Sequence, residues 1–331
     1  MRGAAGLPTL VESFFLDRLM RERQVSPHTI TSYRDTFRLL LQYTHQHLRK
    51  TPTELTLADL DAPLLGAFLD HLENDRGNSA RSRNVRLAAI HSFFRYVALH
   101  APEYCGVVQR VLAMPTKRYV RRPISFLTSA EIDALLAAPD LSTWSGRRDR
   151  ALLLLTARTG LRASELTGLR CENLVLHPSA YVECLGKGRK QRRTPLRRDT
   201  VIVLRTWLRE RNGKPSDPVF PTTQGKALGH DGLDYLLKKH LVIAQSRCPS
   251  LRQKHITFHC LRHSLAMSLL RGGADRSVIA LFLGHEVETT SVYLHADMQL
   301  KEAALARTSE SESRIRRYRP SDRLLAFLDG L

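Results

Sequence analysis

The sequence predicts a mainly α-helical chain in two parts, with a small antiparallel β-sheet inside the second, mostly helical part. Three observations predict this. Apolar residues recur at helical spacing through residues 9–110. A short β-like stretch, turning at Gly186-Lys187-Gly188, lies between helical patterns near residues 175–196. The segment Pro115–Pro123 (PTKRYVRRP) is basic, bounded by prolines, and has the look of a linker. A chain of 331 residues, 43% hydrophobic and 25% charged, is long enough and apolar enough for two cores. The expected boundaries are 1–114 for the first domain, 115–125 for the linker, 126–308 for the second domain and 309–331 for a tail.

The helices follow in order. Ser26-Pro27 reads as a cap with a first-turn proline, ahead of Ile30, Tyr33, Phe37, Leu40 and Leu41. Leu57, Leu60, Leu64, Leu65, Phe68 and Leu72 suggest a third helix. Asn78-Ser79 precedes a helix with Val85, Leu87, Ile90, Phe93, Phe94 and Val97 inward and Arg81, Arg83, Arg86 and Arg95 on a polar side. In the second part, Thr128 and Glu131 have capping-box spacing. Residues 150–159 form an apolar helix, and further helices are expected near 199–211, 231–245, 260–271, 275–283 and 289–295. In the tail, Leu324, Leu325, Phe327 and Leu328 suggest a short amphipathic helix.

Charge narrows the function. Lys plus Arg number 51 against 32 Asp plus Glu, a formal net charge of +19. Such an excess repels itself unless a polyanion takes it up. Nucleic acid is the first candidate and an anionic membrane surface the second. No apolar run approaches a membrane span, and the first residues lack a signal-peptide layout, so a cytoplasmic location is expected. Five cysteines, an odd number without a C-x-x-C pair, favour reduced thiols over disulfides or a structural zinc site.

Four segments of the second part stand out: TGLRASEL (159–166), GKGRK (186–190), HCLRH (259–263), and LGH (283–285) followed at short range by Tyr293. Each alone is bland. An Arg three residues before a Glu is usually a surface pair. G-K-G is a common hairpin tip without P-loop spacing, and His259 with His263 lacks the glutamate of a zinc-protease helix.

In this order, R-x-x-E-L, hairpin lysine, H-x-L-R, L-G-H and tyrosine together resemble the tyrosine recombinase (phage-integrase) family across roughly residues 8–308. The segment ETTSVYLHAD (288–297) looks closest to bacterial and transposon-borne integrases. The resemblance implies a SAM-like, core-binding first domain and a catalytic second domain. It also implies catalytic roles for Arg162, Lys187, His259, Arg262, His285 and Tyr293, with Glu165 orienting Arg162. His285 and Tyr293 stand eight residues apart, one fewer than the family's usual nine. Tyr293 is preferred because the next tyrosine, Tyr318, lies in the polar tail. Lys187, between the two glycines, is preferred over Lys190. Expected DNA contacts are Arg81, Arg83, Arg86, Lys117, Arg121, Arg189 and Lys190.

The chemistry fits these residue types. Attack by a phenolate on a phosphodiester builds negative charge that two guanidiniums can clamp where a metal ion would otherwise serve. A phenol of pKa about 10 needs a base or cationic field to ionise. His259 can accept that proton, Lys187 can protonate the leaving 5′ oxygen, and His285 can hydrogen-bond the phosphate. The implied reaction needs no metal, cofactor or ATP. The implied partners are double-stranded DNA carrying paired recombination sites and a homotetramer on that DNA, the free protein being a monomer or weak oligomer. The tail helix is expected either to pack on its own domain or to dock on a neighbouring protomer. The competing readings are a non-catalytic DNA-binding relative, a type IB topoisomerase-like enzyme and a metal nuclease.

Overall fold

The computed structural model describes residues 6–120, 124–186 and 191–284. The chain divides into two compact units, Met1–Arg122 and Pro123–Leu331.

The first unit is helical. Helix α1 (Leu7–Ser13) runs into a π-helical stretch, Phe14–Glu22. Helix α2 (Pro27–Leu48) starts as its sequence predicts: the Ser26 hydroxyl accepts the Thr29 N–H at 3.2 Å, and Pro27 takes the first-turn position. The expected third helix is instead two elements, a 3₁₀ turn (Leu57–Asp59) and α3 (Ala62–Asn74). The break has a local cause. Asp61 caps α3 by accepting the Leu64 N–H at 2.9 Å, and Pro63 has no N–H with which to extend a preceding helix. Helix α4 (Ala80–His100) is capped by Ser79, and α5 (Cys105–Leu112) closes the unit. Phe14, Phe37 and Phe93 meet at its centre, with Phe93 edge to face against both others and Phe37 and Phe93 5.2 Å apart.

Helix α4 departs from the expected division into faces. Val85 is exposed, whereas Arg83 is buried. Positions 83, 87, 90, 94 and 97 form one stripe at helical spacing, and four of them are the buried Leu87, Ile90, Phe94 and Val97. Arg83 continues that stripe, where it pairs with Glu73 at 3.3 Å.

The second unit starts with α6 (Ser129–Leu136), and its capping box is present: Glu131 accepts the Thr128 N–H at 2.7 Å. The buried Glu131 also takes hydrogen bonds from Ser250 and Lys254, tying α6 to residues 250–254. Helix α7 (Trp144–Thr159) begins six residues before the apolar run, because Thr143 caps it through the Gly146 N–H. Then come the short α8 (Ala163–Thr167) and strands β1 (Leu174–Val175), β2 (Tyr181–Leu185) and β3 (Gln191–Pro195). The strands form an antiparallel sheet in the order β1-β2-β3, with Leu185 opposite Gln191. Helices α9 (Arg198–Arg211), α10 (His230–Arg247), α11 (Phe258–Arg271) and α12 (Arg276–Leu283) complete the described part.

Helix α7 is the central element, packed on α6, α9 and α11. Its one acidic residue, Asp149, is buried and doubly partnered: Arg148 holds one carboxylate oxygen at 2.7 and 2.9 Å, and His240 of α10 lies 2.8 Å from the other. A buried carboxylate is tolerable only with such partners. All five cysteines are free thiols: Cys105 is exposed, Cys184 and Cys260 are buried, and burial pushes the Cys184 thiol up to about 11.

Helix α7 ends at Gly160, whose φ of +63° lies in the left-handed region. A Cβ there would also come within 2.7 Å of the Leu283 Cδ2 and 3.2 Å of the Leu265 Cδ2. Gly160→Ala should lower the unfolding free energy by about 1–2 kcal/mol from the backbone alone, with the crowded leucines adding to that. Urea denaturation followed by circular dichroism measures it, and an unchanged midpoint would contradict the account.

Candidate active site

Three chain turns carry the site, and each is set by local sequence. Gly160 turns the chain out of α7 and puts Arg162 immediately before α8. Thr257 caps α11 by accepting the Cys260 N–H, which places His259 and Arg262 in its first turns. Gly284, with φ +64°, ends α12.

Arg262 joins two of these turns. Its guanidinium is fully buried and donates to the Gly160 carbonyl at 2.5 Å and to the Leu283 carbonyl. Arg162 reaches the end of α12 as well. It donates to the Gly284 carbonyl at 3.0 Å and pairs with Glu165 at 2.9 Å, leaving 26% of its side chain exposed. Glu165 also accepts the Arg162 backbone N–H at 2.8 Å, so one carboxylate fixes both ends of the residue it was expected to orient.

His259 keeps part of its surface in water. Loss of hydration around the ring, then the charges of Arg262 and Arg162, hold its pKa below the ordinary histidine value. Both effects favour the neutral imidazole, which lies within the electrostatic reach of both arginines. The His263 ring meets it edge to face, 4.2 Å between centroids. Burial first, then His259 and Arg262, push the His263 pKa down to about 4. Among the described residues, no group of three His, Cys, Asp or Glu side chains is placed to hold a metal ion.

The structure thus brings together Arg162, Glu165, His259 and Arg262. Lys187, Arg189, Lys190, His285 and Tyr293 lie outside the described residues, as do Arg121 and the expected tail helix. Of the three α4 residues expected to contact DNA, Arg81 is exposed. Arg83 is buried against Glu73, and Arg86 is half-buried, donating to the Ser32 carbonyl and the Thr36 hydroxyl at 3.1 and 2.9 Å. Lys117 is exposed but paired with Glu73, which raises its pKa.

Sequence reasoning missed Arg192. On β3 it donates to both oxygens of Glu165, at 2.7 and 2.8 Å. A signal was available. Side chains alternate along a strand, so Arg192 shares a face with Thr194, which is fully buried. An arginine on the inner face of a strand announces a buried acidic partner.

Residues 125–300 match the model described as "Phage integrase family", and residues 13–100 match "Phage integrase, N-terminal SAM-like domain". A Sinorhizobium fredii protein, provisionally named an integrase/recombinase, is 55% identical over 328 residues, 99% of each chain. Tyrosine recombinase XerD of Pseudomonas putida is 32% identical over 289 residues, 85% of this chain and 91% of that one. Among solved structures, the XerH site-specific recombinase bound to palindromic difH substrate, a post-cleavage complex, aligns with a TM-score of 0.69 at 22% identity. That alignment covers 86% of this chain and 81% of the other, and it is a likeness of fold.

The depressed pKa of His263 has a consequence for stability. The unfolded chain takes up this proton near pH 6.5, whereas the folded one resists it down to about 4. The contribution is therefore complete above pH 6.5 and is lost as pH falls from 6.5 to 4. Urea midpoints measured across that window should fall with acidification, and the fall should be shallower in His263→Gln. Parallel curves would remove His263 from the account.

Proposed function

The chain belongs to the phage integrase family of tyrosine recombinases, and from that premise we propose that Arg162, Arg262 and His259 act with Lys187, His285 and Tyr293 as the catalytic set of a site-specific DNA recombinase. The enzyme cleaves and rejoins DNA strands through a phosphotyrosine intermediate. The convergence of Arg162 and Arg262 on the ends of α7 and α12, with His259 in the first turn of α11 within the field of both, carries the assignment.

The scissile phosphate gains charge as the Tyr293 phenolate attacks. Arg162 and Arg262 stabilise it with fixed donors, so little reorganisation is needed as charge develops. His259 accepts the phenolic proton, a role that requires the neutral imidazole favoured by its depressed pKa. Lys187 protonates the departing 5′ oxygen, and His285 hydrogen-bonds the phosphate. The P–O bond to the 5′ oxygen breaks as the bond to tyrosine forms. One phosphoester replaces another, so resealing needs no ATP and no metal ion.

The described surface suits a DNA-binding protein. The net charge is +19. Among the described residues, no helix is long and apolar enough to cross a membrane. Residues 1–114 bind the duplex, with Arg81 on an exposed face. Residues 115–125, with Lys117 and Arg121, and the hairpin residues Arg189 and Lys190 add phosphate contacts. Two rounds of strand exchange through a Holliday junction require four active sites. The working unit is then a homotetramer on two paired DNA sites, used in integration, excision or transposition.

The test works on DNA whose recombination site has not been mapped. Protein incubated with fragmented genomic DNA from its source and stopped with SDS should carry covalently attached 3′ ends, and Tyr293→Phe should carry none. Arg262→Lys should cut about 10²–10³-fold more slowly, the loss typical of one preorganised donor. Intact DNA binding without adducts in the wild type would favour a non-catalytic DNA-binding protein. EDTA should leave adduct formation unchanged. The acid limb of the cleavage rate should lie below the ordinary histidine pKa of 6.5, since His259 must be neutral to accept a proton; an acid limb above it would take that role from His259.

A further inference from the structure

Glu165 poses an electrostatic problem for any reading in which Arg162 clamps a phosphate. Its side chain is only 3% exposed, and it lies 2.9 Å from the guanidinium that has to meet a second anion. A carboxylate there orients Arg162 but also neutralises it, and would repel the phosphate. Arg192 answers this. It approaches Glu165 from β3 and donates to both carboxylate oxygens, with its own side chain 10% exposed. With the Arg162 side chain and backbone N–H, Glu165 then takes four hydrogen bonds, two to each oxygen.

From this arrangement, and resting on the recombinase reading above, we infer that Arg192 is a positioning residue for strand cleavage. It is the counter-ion of Glu165, and it frees the charge of Arg162 for the scissile phosphate while Glu165 still fixes where Arg162 points. Without Arg192, one buried carboxylate and one arginine would cancel. With it, the three side chains carry a net positive charge that faces the site through Arg162.

The same side chain links elements far apart in the chain. Arg192 lies on β3, five positions along the chain from Lys187. Its Cδ and Nη1 would lie 3.1 Å from a Cβ on Gly284, the residue before His285. From β3, one guanidinium therefore binds the carboxylate behind Arg162 and occupies the space where a side chain at Gly284 would stand. Bidentate geometry matters for this, because a lysine would supply the charge but only a single point of contact.

The titration of Glu165 supports the counter-ion role. Burial raises its pKa, but hydrogen bonds from Arg192 and from the Arg162 N–H, with the charges of both arginines, outweigh burial and leave it below the ordinary value. Arg162 and Arg192 are the charged groups acting on it. On β2, burial keeps the Cys184 thiol protonated against the pull of Arg192, Arg162 and Arg262. Removing Arg192 leaves burial opposed by a single arginine, so the Glu165 pKa rises.

Two measurements on the full chain test this, with Arg192→Gln and Arg192→Lys. The first follows the Glu165 carboxyl by NMR in the DNA-free protein, with Glu165→Gln identifying the signal. It should titrate at clearly higher pH in Arg192→Gln than in wild type, with Arg192→Lys in between; an unmoved titration overturns the counter-ion role even if the protein cuts no DNA. The second measures single-turnover cleavage and DNA affinity across pH. Arg192→Gln should cut about 10–100-fold more slowly with affinity nearly kept. Its deficit relative to wild type should deepen as pH rises and the uncompensated Glu165 ionises and cancels Arg162, and Arg192→Lys should be partly rescued. Equal losses at all pH values in both variants, tracking a fall in thermal stability, would make Arg192 a structural residue and overturn the proposal. Wild type that forms no covalent adduct while the Glu165 titration still shifts would overturn the recombinase reading and leave the counter-ion pairing standing.

Discussion

A buried guanidinium between two helix ends is the constraint on which the second unit depends. The last carbonyls of an α-helix have no partner within it, and the macrodipole makes that end negative. Helices α7 and α12 both stop at left-handed glycines, and both turn terminal carbonyls, those of Gly160 and Leu283, toward Arg262. The arginine meets the needs of two helix ends at once, and the helix ends hold the arginine still. Fixing the guanidinium in place and ending two helices are here one interaction. Moving Arg262 would release both caps, and adding a side chain at Gly160 would push Leu283, and the carbonyl it carries, away.

The division between what was legible in the sequence and what was not follows from the range of the interactions. Caps at Ser26, Thr128 and Ser79 are decided within four residues, and all three initiate helices where their spacing predicts. The small sheet was legible from glycines and β-branched residues over a similarly short span. The third helix departs from expectation because apolar spacing runs through Asp61 and Pro63, whereas hydrogen bonding does not. Arg83 departs from it because its place on an apolar stripe outweighs its charge, and the partner that makes burial possible, Glu73, lies on another helix. Site residues such as Arg162 and Arg262 were legible only through family resemblance, since their partners lie up to about 120 residues away along the chain. Arg192 has no such motif: alternation with Thr194 along β3 points it inward, and only its distance to Glu165 names the partner.

Charge is distributed unevenly within this very basic chain. Several arginines that count toward the +19 are taken up inside the fold: Arg148 by Asp149, Arg83 by Glu73, Arg192 by Glu165. Each is bound to a buried or half-buried acid and is worth little to an approaching polyanion. Attraction of a polyanion falls instead to exposed cations such as Arg81, and buried arginines serve as fixed internal struts. Net charge alone therefore overstates the number of phosphate contacts a chain of this kind can make.

The distribution of thiols has a practical consequence. Cys105 is the sole cysteine of residues 1–122 and is exposed, whereas Cys184, beside the arginine cluster, is buried and held as the unreactive thiol. A fluorophore bearing a maleimide would thus react readily at the first unit and leave the sulfur beside the arginine cluster untouched. With the half-buried Cys171 and Cys248 of the second unit replaced by serine, Cys105 becomes an optical handle confined to the first unit.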